Sequence, residues 1–247
     1  MDTRSEEQEK KRFLELAYRA EKTGQCVYTE FHSMHGVALA HDAARGICEV
    51  TEWGGYPDAE RMMIGFGTDG NSGFPVTLIR ISPKQQKYAD KLSHRDFLGA
   101  LMNLGIERDV LGDIIVSENT GYVFAAEGMA DFIMESILSV KHTAVNCEVI
   151  DSLPEDAKPK RKQMEINVSS LRADAIVSKA FNLSRGNSKD LFSSEDIAVN
   201  GAVLKNPGKE PDEGDVISVR GYGKFKYCGA LRETKKGNLV CRIEKYV

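Results

Sequence analysis

The chain has 247 residues, 33 of them Lys or Arg against 37 Asp or Glu for a net charge of −4, and is 41% hydrophobic and 28% charged. That length suits one large domain or two to three small ones, and the composition is rich enough in apolar residues to exclude a disordered chain. No apolar run approaches the roughly 18 residues of a membrane span, the opening MDTRSEEQEKKRF has no apolar signal core, and the cysteines (Cys26, Cys48, Cys147, Cys228 and Cys241) are odd in number and scattered, so a cytoplasmic protein with reduced thiols and no membrane partner is expected.

Residues 6–22 place Phe13, Leu14, Ala17 and Tyr18 on one stripe, which predicts an amphipathic helix closed by Gly24. A helical stretch over 33–44, a short strand near 47–51, the Gly54-Gly55 turn and a strand over 59–66 complete a small α/β unit assigned to residues 1–73. Gly65–Gly70 matches GxGxxG, yet no helix start follows to meet a pyrophosphate, so a glycine-rich loop is expected. Cys26, His32, His35 and His41 are ligand types without a zinc spacing. No metal, cofactor or small-molecule substrate is expected.

Residues 74–150 read as a second domain. Val76–Ile81 is a strand and His94–Leu104 a helix with Phe97, Leu98, Leu101 and Leu104 on one side. Strands over 113–116 and 122–125 flank a turn at Asn119-Thr120-Gly121, a helix follows over 129–140, and a last strand covers 143–150. The order βαββαβ is the split-βαβ plan of ferredoxin-like and RNA-recognition-motif (RRM) domains. The RNP1 consensus is absent, and Tyr122 and Phe124 are read as sheet core rather than base platforms. His94-Arg95-Asp96 imitates a kinase catalytic loop without its downstream Asn or a DFG segment, which excludes that reading.

Asp151–Lys162 has two prolines, seven charges and only Leu153 and Ala157 as apolar residues, so 151–164 is expected as a linker with no face to bury. Charge changes sign across it. Residues 1–157 hold 15 basic and 26 acidic residues, a net of −11, and residues 158–247 hold 18 and 11, a net of +7. That asymmetry points to a polyanion-facing module at the C-terminal end, residues 165–247.

Within that module, Leu171–Phe181 is a short helix with Ala173, Ile176, Val177, Ala180 and Phe181 inward. Ser184 suits the N-cap of a second helix, which would put Arg185 at a positive helix end. Ile197–Leu204 is a strand, an Asn200-Gly201 turn and a strand; Lys205–Pro211 is a loop; Val216–Arg220 is a final strand, and Gly221–Tyr227 interleaves lysines with aromatics. Two short helices backed by a small sheet would let Arg172, Arg185, Lys189, Lys205, Arg220, Lys224 and Lys226 line one phosphate-facing surface, with Ser184 and Asn200 at its turns.

The string RADAIVSKAFNLSRGNSKDLF, then IAVNGAVL, then EGDVISVRGYGKFKY, resembles the RNA-binding S4 domain, over about residues 166–227. The resemblance implies an αL-type fold that grips structured RNA through its helix pair. Gly186 and Ser188 depart from the pattern and weaken the second helix, and Glu195-Asp196 adds negative charge where a Gly-hydrophobic pair is usual. Upstream, Trp53–Arg61, His94–Arg108 and Gly112-Asp113-Ile114 resemble YlmH-type S4-domain proteins, which share this order over essentially the whole chain. That family implies an α+β chain with a small N-terminal unit, an RRM-like middle and a C-terminal S4 domain. It further implies a non-catalytic role, with rRNA or tRNA and the large ribosomal subunit as partners, in rescue or quality control of stalled large subunits. Two other readings remain: a pseudouridine-synthase-like RNA-modifying enzyme, with His94, Asp96 and Asp113 as its only candidates, and a cell-division-associated interaction factor. Leu171–Asp174 resembles a pseudouridine-synthase string but lacks the rest of that motif.

Overall fold

A computed structural model describes residues 3–57, 59–68 and 73–246, with the side chains of Thr3 and Arg185 left aside. The end of the glycine string, Asp69 and Gly70, lies outside the described residues. The chain divides into two compact units, with the division between Lys158 and Pro159.

The first unit begins with α1 (Thr3–Thr23), β1 (Val27–Ser33), α2 (Met34–Ala43), β2 (Val50–Trp53) and β3 (Arg61–Phe66), the strands forming an antiparallel sheet in the order β1-β3-β2. Gly24 ends α1 at φ +64, its N–H bonded to the Ala20 carbonyl. Phe13, Ala17 and Ala20 form the buried stripe of α1, whereas Leu14 and Tyr18 are exposed. The steps from 13 to 17 to 20 follow the helical repeat, and positions 14 and 18 lie about 100° further round. The strand β1 was not expected. Its central Thr29 is buried, and its hydroxyl accepts the Ile64 N–H at 3.1 Å, so a polar residue occupies a core position and hides the alternation.

The unit continues with β4 (Val76–Pro83), α3 (His94–Met102), β5 (Leu111–Ser117), β6 (Thr120–Ala126), α4 (Ala130–Ser136), β7 (Ser139–Val140) and β8 (Thr143–Ile150). Sheet order β5-β6-β4-β8-β7, with every pairing antiparallel, is the expected split-βαβ plan with a short edge strand added. One face packs Ile79, Ile81 and Val123 against Phe97 and Leu101 of α3 and Ile133 of α4. The expected turn at 119–121 lies one residue earlier. Glu118 and Asn119 carry positive φ of 48° and 64°, and Gly121 lies within β6, where a Cβ would come 2.6 Å from the Phe97 ring. That glycine admits the aromatic ring instead of making the turn. The helix expected over 129–140 stops at Ser136, because the chain turns at Lys141 (φ +53) to pair β7 with β8.

The other face of this sheet is covered by the chain itself. Leu78, Tyr122 and Phe124 are buried with Leu153 and Ala157, and Tyr56 stacks on Phe124 at 5.0 Å between ring centres and 20° between planes. Residues 151–164 are therefore not a linker without a face, as expected from composition: Leu153 and Ala157 are buried, and Arg161 already begins a strand. Two apolar residues suffice here because the sheet supplies the rest of the apolar surface. Asp113 on β5 holds the N-terminal sheet to this one. Its carboxylate accepts the Tyr56 hydroxyl at 2.9 Å and the Glu60 and Arg61 N–H groups at 2.7 and 3.2 Å.

The second unit comprises β9 (Arg161–Val168), α5 (Ala173–Ala180), α6 (Arg185–Ser193), β10 (Ile197–Val199), β11 (Ala202–Val203), β12 (Val216–Val219), β13 (Gly223–Glu233) and β14 (Leu239–Tyr246). The strands form a six-stranded antiparallel sheet in the order β11-β10-β12-β13-β14-β9. The strands β9, β13 and β14 were not expected, so Val216–Val219 is central rather than final. Both helices pack on one face, where Ile176, Val177 and Phe192 meet Ile166, Ile217, Phe225 and Ile243.

Candidate nucleic-acid interface

The corner between α5 and α6 is built by local chemistry. Asn182 takes a positive φ of 54° to end α5, and Leu183 returns its N–H to Ser178 O at 2.8 Å while Ser178 Oγ donates to Leu183 O at 2.8 Å. Two residues after Asn182, Ser184 caps α6, its Oγ accepting the Asn187 N–H at 3.1 Å, as expected. Ser188, an outlier from the sequence pattern, is buried at 2% exposure, and its hydroxyl donates to Asp174 O at 3.2 Å. It thus fixes α6 against the first turn of α5.

This corner encloses a groove of about 570 Å³ bounded by Ser170, Arg172, Ser178, Lys179, Leu183 and Lys189. Lys179 and Lys189 are exposed at its rim. The Arg172 guanidinium donates to both carboxylate oxygens of Asp174, at 3.1 and 2.8 Å, which raises the Arg172 pKa and lowers that of Asp174. The N–H groups of Ala173 and Asp174 bond the Lys209 and Pro207 carbonyls, so the first turn of α5 is satisfied by the loop 205–211. Arg185 opens α6, and its side chain lies outside the described residues.

The remaining candidates do not share this surface. In the Asn200 side chain, Oδ1 accepts the Val216 N–H at 2.9 Å and Nδ2 donates to Asp215 Oδ1 at 2.7 Å, which ties the β10–β11 turn to β12. Lys205 pairs with Glu195 at 3.0 Å and Arg220 with Asp196 at 3.5 Å, so the acidic pair that departs from the pattern sits against two of the expected cations. Lys224 and Lys226 alternate with the buried Phe225 and Tyr227 and therefore lie on the sheet face away from the helices. What the sequence presents as one surface is two. Lys179 on the helix side was missed, as were Arg161, Arg242 and Tyr246 on the sheet side. The alternation in Arg161–Val168 and Leu239–Tyr246 carries the signal for the last three.

Of the residues open to a catalytic reading, Asp96 and Asp113 are held in structural bonds, and His94 opens α3. Asp96 accepts the Ser93 N–H and hydroxyl in a capping box and pairs with Lys141 at 3.0 Å; the Ser93 hydroxyl, Lys141 and the Ser93 N–H lower its pKa to about 2. Asp113 is the staple described above. His32, His35 and His41 each face a glutamate, namely Glu9, Glu6 and Glu52, and no group of three metal-ligating side chains occurs among the described residues. No described helix is long and apolar enough to cross a membrane.

These features define a mixed α+β protein whose split-βαβ sheet is closed on both faces and whose net positive charge lies in a separate helix-corner unit. The N-terminal model of YlmH matches residues 5–70, and the model of the RNA-binding domain in YlmH matches residues 70–153. A relative from Bacillus subtilis, named ribosome-associated protein quality control protein P2, is 33% identical over 202 residues, covering 78% of this chain and 76% of its own. The chain belongs to the YlmH family. A solved structure named cell division protein ylmH from Streptococcus pneumoniae aligns at 20% identity and a TM-score of 0.49, covering 61% of this chain and 92% of that one.

Proposed function

We propose that this protein is a non-catalytic, cytoplasmic RNA-binding factor that holds structured RNA, rRNA or tRNA, through an S4-type C-terminal unit on the ribosome. The observation that carries the reading is the helix-corner groove, where Lys179 in the last turn of α5 and Lys189 in α6 stand exposed at the rim. Lysines at such a rim suit phosphate oxygens and bind without reading sequence. The family model for an RNA-binding domain and the ribosome-associated relative support the same partner. Rescue or quality control of stalled large subunits is the role we assign on that basis. Because Tyr56, Leu153 and Ala157 fill the sheet face on which an RRM stacks bases, RNA contact through the middle domain uses other surfaces.

The test is ribosome co-sedimentation of the full chain across a salt series, comparing it with Lys179→Glu/Lys189→Glu. Loss of two phosphate contacts lowers the slope of log affinity against log salt by roughly 1.4 to 1.8. Unchanged sedimentation and an unchanged slope overturn the assignment of the groove.

A further inference from the structure

The face of the six-stranded sheet that points away from α5 and α6 holds cations from four strands or their ends. Register places Lys224 opposite Ser218, Lys226 opposite Glu244, Tyr246 opposite Arg161, and Arg242 opposite Glu165, and residues paired this way share a face. Tyr246 lies at the centre, with Lys224 Nζ 4.5 Å and Arg161 Cζ 5.1 Å from its ring centre. Arg220 and Lys224 border a groove of about 660 Å³ over Ser218 and Tyr246. Carboxylates are present but outnumbered. Glu244 holds Arg161 at 3.0 Å, Glu165 holds Arg232 at 2.8 Å, and Asp196, which lines the groove with Glu195, faces Arg220; Lys226 and Arg242 lie across from Glu244 and Glu165, so these two carboxylates stand among four cations. A sheet face with cations spaced along adjacent strands meets a phosphodiester backbone across several phosphates at once, and its surplus positive charge attracts a polyanion.

We infer that this outer sheet face is a second RNA-backbone site, separate from the helix-corner groove and centred on Lys224, Lys226, Arg242 and Tyr246. The inference rests on the reading that the C-terminal unit binds RNA. Its ligand is the sugar-phosphate backbone, engaged without base readout. The two sites lie on opposite faces of one sheet, so a bound RNA that uses both must pass around the edge of the unit or present two strands.

The experiment titrates a fluorescently labelled RNA stem-loop with the full chain over a salt series. It compares wild type, Lys226→Glu/Arg242→Glu on the sheet face, Lys179→Glu/Lys189→Glu on the helix face, and the conservative Lys226→Arg. The inference expects the sheet-face double variant to bind roughly tenfold more weakly with a salt slope reduced by roughly 1.4 to 1.8, Lys226→Arg to bind like wild type, and the helix-face variant to keep a salt-dependent residual affinity. Circular dichroism of each variant checks that the fold is intact; a misfolded double variant is replaced by Lys226→Gln/Arg242→Gln, for which the same direction is expected. Wild-type affinity and slope in the sheet-face variant, with loss confined to the helix-face variant, overturn the second site and leave the groove standing. Wild type without affinity for the stem-loop or for ribosomes overturns the RNA-binding reading itself and this inference with it.

Discussion

Replacing Asp113 with alanine removes the acceptor that joins the N-terminal sheet to the split-βαβ sheet. The carboxylate takes three hydrogen bonds, from Tyr56 Oη, Glu60 N and Arg61 N. Each bond to a charged acceptor contributes about 1.5–3 kcal/mol net, and bonds sharing one acceptor do not add. The substitution also strips a compensating charge from Arg61. That guanidinium is mostly buried and bonded to the Leu111, Phe31 and Arg108 carbonyls, and burial first, then the charge of Arg108, lowers its pKa to about 10 while Asp113 opposes both. Asp113 is itself half-buried, so water recovers part of the loss. The expected destabilisation is about 3 kcal/mol. Trp53, the single tryptophan of the chain, ends β2 in this unit and reports its unfolding by fluorescence. With a denaturant slope of about 2 kcal/mol/M the urea midpoint falls by roughly 1.5 M. Asp113→Asn keeps one acceptor oxygen and loses about half as much, and Glu135→Ala, on an exposed turn of α4, stays within about 0.5 kcal/mol of wild type. A shift under about 1 kcal/mol for Asp113→Ala refutes the staple, because three charged bonds cannot be replaced by water at so small a cost.

Four further outcomes follow from single positions. Gly186→Ala stabilises the second unit by about 0.5–1 kcal/mol, since the residue is helical and an added Cβ has Ser184 Oγ at 3.8 Å as its nearest contact; a lowered thermal midpoint contradicts it. Asn200→Ala costs about 2 kcal/mol, from two lost side-chain bonds and a positive φ of 51° that alanine tolerates poorly, and Asn200→Asp does not rescue it at neutral pH, because a carboxylate oxygen then replaces the donor that meets Asp215 at 2.7 Å. Gly55→Ala places a Cβ 2.2 Å from Phe124 at φ +97, so about 3 kcal/mol or more is lost and the Trp53 emission changes; a wild-type melt would show that the loop does not lie on the sheet as described. The folded-state pKa of Asp96 is depressed from 3.8 to about 2, so its contribution is present above pH 3.8 and lost as pH falls toward 2; Asp96→Asn therefore flattens the acid limb of stability in that window, and parallel limbs for the two proteins would contradict the capping box.

Elements whose cause is local are those the sequence shows. Ser184 caps α6 because a hydroxyl followed by a helical run leaves few other options, and Asn200-Gly201 turns because both residues accept positive φ. The split-βαβ order is legible because its strands and helices each carry their own period. The rest depends on partners distant in the chain. Phe124 is sheet core, as expected, but the ring that covers it belongs to Tyr56, 68 positions earlier. Leu153 and Ala157 are too few to announce a buried segment and need the sheet beneath them. The candidate site was misread as one surface for a related reason. A lysine or arginine gives its charge from type alone, but its side of the sheet follows from strand parity, and the lysines interleaved with aromatics over 221–227 acquire a side only as the start of β13.

The covered sheet and the divided charge bear on one another. An RRM that stacks bases keeps aromatic rings of its central strands exposed; here the corresponding rings are at 7% and 1% exposure for Tyr122 and Phe124. The same region carries the negative excess, with 26 acidic against 15 basic residues over 1–157. Part of that acidity is internal wiring, as in Asp42 with Lys10, Glu30 with Arg12, Glu148 with Arg80 and Asp113 with three donors. The remainder repels phosphate. A chain negative in one unit and positive in the other is oriented by the field of a polyanion before contact, positive unit first, an effect that weakens as salt screens it beyond about 8–10 Å. On the proposed reading, the acidic unit therefore lowers the number of unproductive encounters with RNA and confines any contact of the middle domain to surfaces other than the covered sheet face. Reversing acidic residues there is then expected to raise, not lower, the affinity of the whole chain for RNA at low salt while broadening where on the RNA it binds. Footprinting at low and high salt measures both effects. An acidic unit that itself grips RNA gives the opposite sign, with charge reversal at its contact carboxylates weakening binding.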